Sequence, residues 1–314
     1  MIGRILGKKG ARHHGPTVRV AAFGKHPAWN DHVEDIGLDT ESLVELRRLL
    51  YLDGIGGNID SGAWDSLGAG ALEGFSHVFC RSTHASVIVG RMWSSTDGVG
   101  RAKYPFVAVA EITDMEVPDA VRVAVPALID LERSCRSTQA QQGVIGAVGT
   151  CSEQLRSRVT RPATVDPTSS LATLLSNPAL GPNHRGAERI LYQIQRDFGA
   201  YVPRGSDSGI TRMKSVDLRP QHIRVPSCIP DATASLAAWS RFFATRLDPA
   251  CPIMLIRRID GHWIDVIAGK PGPAELFCLR AGVVALPLAT EVPYTIDPEF
   301  ASTVSAWLAE QSRR

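Results

Sequence analysis

Residues 252–269 read PIMLIRRIDGHWIDVIAG, and this stretch constrains the fold more than any other. Two β-rich apolar runs flank Asp260-Gly261, a pair that tolerates positive φ and closes tight hairpins. The chain must therefore hold at least one antiparallel ribbon with an apolar face. A second hairpin is expected over residues 276–288, turning near Ala281-Gly282. Together the two make an antiparallel meander. The helix of residues 183–198 precedes them, and so does an amphipathic helix that Asp231 caps, with Leu236, Trp239, Phe243 and Leu247 on one side. A last helix begins with Asp297 as cap and Pro298 at its first position, and turns Phe300, Val304, Trp307 and Leu308 inward.

The first half alternates strands and helices. Residues 17–23, 75–80, 85–93 and 106–112 read as strands, the last nearly continuous in apolar residues and so suited to the middle of a sheet. A loop is expected over 24–37. A helix follows over 38–53, capped by Asp39 or Thr40, with Leu43, Leu46 and Leu50 on one face and Asp53-Gly54 as its stop. Shorter helices are expected over 64–74 and 151–159, and a longer one over 119–137, bent or split by Pro126. Residues 159–186 hold Pro162, Pro167, Pro178 and Pro182 among many Ser and Thr, and read as a boundary. The expected organisation is a basic arm over 1–16, a layered α/β sandwich domain over 17–158, a linker over 159–186, and a smaller α+β domain over 187–314. An exposed loop is expected over 203–214.

The chain has 314 residues, 44% hydrophobic and 21% charged, with a formal net charge of +2. That balance carries no general nucleic-acid footprint. Positive charge gathers only at the front, where Arg4, Lys8, Lys9, Arg12 and Arg19 precede any acid, so 1–16 reads as a solvated arm. No signal segment and no apolar run of about 18 residues is evident, so the expectation is a cytoplasmic protein without membrane insertion. The six cysteines form no C-x-x-C pair, and Cys251 and Cys278 read as buried strand thiols.

Two polar stretches carry the candidate chemistry. The first is FGKHPAWNDHVEDIG, residues 23–37. Lys25 is followed by His26-Pro27 rather than a hydroxyl residue, and no glycine pattern precedes it, so a phosphate loop is excluded. His26, Asp31, His32, Glu34 and Asp35 offer metal-ligand atoms but match no ligand spacing. The second is GRMWSSTDGVGRAKYPFVAVAEI, residues 90–112. It lacks G-x-S-x-G, although Ser94, Ser95 and Asp97 with His84 allow a triad to be drawn. Its plain reading is a strand–loop–strand connection in which Asp97 pairs with Arg101.

Order and separation of the two stretches resemble the TagF (ImpM) proteins of bacterial type VI secretion. Gly24-Lys25-x-Pro27 with Asp31 resembles their opening Gly-Lys-Leu-Pro-x-x-Gly-Asp-Phe signature. Ser95, Asp97, Val99, Gly100 and Arg101, then Tyr104-Pro105-Phe106, resemble their later Ser-x-Asp-x-Val-Gly-Arg and aromatic-Pro signature. His26, Asn30 and His32 depart from the pattern, and one extra residue stands before Pro105. The resemblance spans about residues 18–135. It implies an α/β sandwich, a non-enzymatic accessory or post-translational regulatory role without cofactor, and a protein partner such as a forkhead-associated scaffold. It also implies that Lys25, Asp31, Asp97 and Arg101 meet at one end of the sheet. Lys25, beside His26, Pro27 and Trp29, is then expected to face a partner. The alternatives are a small-molecule hydrolase or metal-dependent enzyme using Asp31, Asp97 and a histidine, and a binding module outside secretion.

Overall fold

A computed structural model describes residues 15–83, 86–160, 174, 177–181, 185–199, 219–244 and 246–311. Residues 1–14 of the expected basic arm, His84, the 203–214 loop and most of the 159–186 boundary lie outside the described residues.

The fold is mixed α/β, built on one antiparallel sheet. Its eight strands are β1 (Val18–Lys25), β2 (His32–Ile36), β3 (Ser76–Ser82), β4 (Val87–Ser94), β5 (Pro105–Ile112), β6 (Gln221–Pro226), β7 (Ile253–Arg258) and β8 (Trp263–Ala268). Their order is β2-β1-β5-β4-β3-β7-β8-β6. The hairpin of 252–269 is present as β7 and β8, with Leu255 opposite Val266. It does not stand apart: β7 pairs with β3, placing Phe79 opposite Ile256, so both halves of the chain share the sheet.

Helices cover both faces. One face carries α2 (Val117–Arg136), α3 (Gln141–Val159) and α5 (Ala232–Ala244), with α4 (Arg185–Asp197) and α6 (Pro298–Gln311) beside them. The other carries α1 (Glu41–Arg47) and the turns that continue it. Side chains alternate across a strand, so β5 splits its apolar run. Phe106, Ala108 and Ala110 meet the α2 side, while Val107 and Val109 meet the α1 side. That two-sided burial is why the strand is apolar throughout. Capping follows the expected chemistry: Thr40 Oγ1 accepts from Leu43 N, and the Asp231 and Asp297 carboxylates accept from Ala234 N and Glu299 N.

Several expectations are corrected. The helix expected to stop at Asp53-Gly54 continues through wide π-type turns over Arg48–Gly56 and one α-turn to Asp60. Gly54 serves close packing there, because a Cβ on it would lie 2.3 Å from Leu276 Cδ1. Residues 64–74 form only 3-10 turns at Asp65–Leu67 and Ala69–Ala71, interrupted by Gly68 at φ +76°. The α3 helix begins at Gln141, ten residues before expectation, because Val144, Val148, Cys151 and Leu155 make a buried stripe that outweighs its glycines. The α2 helix runs through Pro126 without a break. The expected hairpin over 276–288 is replaced by helical turns at Pro273–Leu276, Phe277–Leu279 and Gly282–Ala285. Pro273 opens that segment, Glu275 Oε2 accepts from Gly272 N, and Leu276 and Leu279 turn inward at helical spacing. The meander's third strand is β6 instead. All six cysteines are free, and only Cys228 is not fully buried. Burial pushes the Cys251 thiol up to about 12 and holds Cys278 well above the usual thiol range. Cys251 lies just before β7 and Cys278 in the 277–279 turn, so neither is a strand residue.

Candidate functional site

Strands β1 and β4 end, and β2 and β5 begin, at the same end of the sheet. Lys25 pairs with His32, Gly24 with Phe106, and Ser94 with Pro105. The loops of residues 26–31 and 95–104 are therefore neighbours, and Gly98 N donates to Trp29 O at 2.7 Å. Backbone requirements explain two motif glycines. Gly24 has φ +116°, beside a register shift in the β1–β2 pairing, and a Cβ on it would lie 2.2 Å from Pro105 O. Gly100 has φ +87° at the return of the second loop.

Asp97 is the centre of the site, with a fully buried side chain. Its Oδ1 accepts from Val99 N at 3.1 Å and Arg101 N at 3.0 Å. Its Oδ2 accepts from Lys25 Nζ at 2.9 Å and Arg101 Nε at 2.7 Å. Burial alone raises this carboxyl's pKa, but the hydrogen bonds from Lys25, Arg101 and the backbone outweigh it and hold the group well below the usual range. Each carboxylate oxygen offers about two lone-pair sites, and all are occupied, so Asp97 is an anchor and has no free electron pair for base chemistry.

Asp31 is the exposed counterpart. Its Oδ1 accepts from Lys25 Nζ at 2.6 Å and Arg101 Nη2 at 3.1 Å, and lies 3.1 Å from His32 Nδ1. The Lys25 bond leads the causes that lower its pKa. Arg101 Nη2 also donates to Asn30 O at 2.7 Å. The expected four-charge cluster is thus brought together from two loops.

The expected outward role of Lys25 is corrected. Lys25, His26 and Trp29 are all buried, and only Pro27 is half-buried. A stiff loop that tucks its cation under two carboxylates cannot also show it to a partner. His26 Nε2 donates to Cys135 O while its Nδ1 accepts from Ala28 N, which fixes one neutral tautomer and straps the loop to α2. Burial lowers its pKa, against the Cys135 bond. His26 therefore does not join Asp31 and His32 as a metal ligand. Ser95 stays at the loop's rim and contributes no bond to the four charges, and Pro105 opens β5. Outside, Val99 is 63% exposed and the Arg101 side chain 57%.

Sequence reading missed the aromatic wall. Tyr51, from the π-type turns, lies 5.7 Å from His32 and 5.1 Å from Tyr104 between ring centroids, and His32 lies 5.4 Å from Tyr104. The Tyr51 hydroxyl is buried and has no hydrogen-bond partner among the described residues. The aromatic-Pro motif points to Tyr104, but no local signal marks Tyr51. Among the described residues, no helix is long and apolar enough to cross a membrane. No family model matches the chain, and no curated protein matches it.

Proposed function

We propose that this chain is a non-enzymatic accessory or regulatory protein of a bacterial type VI secretion system, similar to TagF (ImpM) proteins and acting in the cytoplasm through contact with a protein partner. One observation carries the reading. The two motif stretches, far apart in sequence, close on each other through Lys25 and Asp97, which is the juxtaposition the resemblance implies. The buried half of that cluster acts as a lock. The contact surface is its exposed rim, made of Asn30, Asp31, Val99 and Arg101. An apolar tip flanked by paired charges suits a polar-rimmed protein interface, and loops at strand ends are where such folds carry function. A forkhead-associated scaffold is the first partner to test.

The experiment is affinity capture from the native host with the wild-type chain, Val99→Asp and Arg101→Glu. Val99→Asp sits on an exposed side chain, so its melting temperature should change little; Arg101→Glu also removes a donor to Asp97, so it is assayed well below its own melting transition. Recovery of secretion components by wild type, lost with either variant, is expected. Equal capture by all three chains, or no secretion component with wild type, overturns the proposal.

A further inference from the structure

The opposite end of the molecule holds a second cluster of reactive side chains. His222 and Arg224 are two residues apart on edge strand β6 and so share a face. Asp265 on β8 is the direct cross-strand partner of Arg224. Cys278 comes from the 277–279 turn that lies over this face. One donor atom from each of His222, Asp265 and Cys278 lies within 4.8 Å of the others. His222 Nε2 is 3.0 Å from Asp265 Oδ1. All three side chains are buried or nearly so.

We propose that His222, Asp265 and Cys278 bind a thiophilic divalent metal ion of the zinc class, and that the ion staples edge strand β6 to the 273–285 segment. The donor set is one imidazole nitrogen, one carboxylate oxygen and one sulfur, a mixture that suits zinc rather than magnesium or calcium. It is also convergent from three separate segments, as metal ligands are and surface acids are not. On binding, the His222 proton that bonds Asp265 is exchanged through solvent from Nε2 to Nδ1, and the metal takes the freed Nε2 lone pair, one lone pair of Asp265, and the Cys278 sulfur. The thiol proton leaves to solvent, and no electrons are transferred. The hydrogen bond between His222 and Asp265 is replaced by two bonds to the ion.

Arg224 is the main opponent of this site and also its support. It holds Asp265 through Nε to Oδ1 at 2.9 Å and Nη2 to Oδ2 at 3.1 Å. Its Nη1 donates to Gly282 O and Leu286 O, and its guanidinium lies 4.6 Å from the Trp263 ring centroid. Those carbonyls and the ring face spread its charge away from the cluster. The bidentate grip fixes the carboxylate's orientation, which is what an outer partner of a metal ligand does. It leaves lone-pair capacity on Asp265 for one ion.

The staple has a structural purpose. The 273–285 segment holds the α1 side of the molecule: Asn58 Nδ2 donates to Pro273 O, Trp64 Nε1 to Phe277 O, and Glu73 N to Arg280 O. An ion on Cys278 therefore ties the sheet's last strand to the layer that carries Tyr51.

The test uses the full chain, stripped with chelator under reducing conditions and titrated with Co2+. Stoichiometric appearance of a thiolate-to-cobalt charge-transfer band, displaced by Zn2+, is expected. Cys278→Ser should abolish the band, and Cys228→Ser should leave it unchanged. His222→Gln keeps a donor for Asp265 yet removes the ligand, and should weaken Co2+ binding at least about tenfold. Zn2+ should raise the melting temperature of wild type but not of His222→Gln, which decides the matter if Cys278→Ser fails to fold. No band with wild type, a band that survives Cys278→Ser, or unchanged affinity in His222→Gln overturns the proposal.

Discussion

Lys25 on β1 and Asp97 in the loop after β4 are 72 residues apart in sequence and meet at 2.9 Å, both buried. Each has a second partner, Asp31 at 2.6 Å for Lys25 and Arg101 Nε at 2.7 Å for Asp97, but both of those side chains are mostly exposed. Removing either leaves the other a buried charge held only by those neighbours, and the neighbours differ between the two.

That asymmetry gives the first prediction. Asp97→Ala leaves Lys25 only the exposed Asp31, and it removes the acceptor for Val99 N and Arg101 N, so both loops lose their anchor. Lys25→Ala still leaves Asp97 with Arg101 and two backbone donors. Arg101→Ala acts on a mostly exposed side chain, where screening weakens the pair. Denaturant midpoints should fall in the order Asp97→Ala, then Lys25→Ala, then Arg101→Ala. The Asp97 contribution is present above the ordinary carboxylate range and is lost only as acid takes the pH down through its lowered folded value.

Gly24→Ala tests the turn itself. The new Cβ would meet the Pro105 carbonyl at 2.2 Å in a backbone conformation that L-residues rarely adopt. Strain and displacement of β5 should together cost on the order of 3 kcal/mol, read by urea unfolding. Gly100→Ala meets nothing within 4 Å and carries only the φ penalty, so it should be the milder change.

On the α2 side, Glu132 accepts from Arg91 Nε at 2.6 Å and from Arg136 Nε at 2.9 Å. Arg91 is buried and otherwise bonds the carbonyls of His77 and Met92. Glu132→Ala should cost about 3–5 kcal/mol by equilibrium unfolding, because it leaves that guanidinium without its counter-ion. Arg91→Met combined with Glu132→Leu should recover most of the loss.

His77 supplies a pH signature. It is fully enclosed on β3, and burial first, then Arg258 and Arg91, push its pKa down to about 3, against Asp265 and Asp260. The folded chain thus keeps the ring neutral where the unfolded chain protonates it. Stability should be complete above the ordinary histidine value of about 6.5 and decline as the pH falls from there toward 3. Melting curves across that window should flatten in His77→Gln, and a histidine-independent slope would refute the assignment.

Features whose causes are local can be read from the chain alone. The hairpin at Asp260-Gly261, the two-sided apolar run of β5, and the Asp231 and Asp297 caps all rest on neighbours within a few residues, and each is present, although the turn closes through Gly261 N to Arg258 O without the positive φ the pair allows. The motif spacing also points to Gly24, Lys25, Asp31, Asp97 and Arg101, which lie together where the two loops meet. Tertiary structure decided the rest, because the energy there comes from distant groups. β2 and β6 are short sheet-edge strands whose ladders are completed by β1 and β8, and nothing in His32–Ile36 alone distinguishes a strand from a polar loop. Gly54 reads as a helix stop, but contact with Leu276 keeps the chain winding past it. Residues 276–288 have the apolar content of a hairpin, yet packing against the π-type turns of 48–56 and Trp64 selects helical turns. Lys25 looks exposed in its polar stretch and is buried only because the loop after β4 folds over it. The joining of β3 to β7, which makes one sheet of two apparent halves, has no local signature at all: backbone hydrogen-bonding groups on any strand edge are alike, and burial of both faces chooses which edges meet.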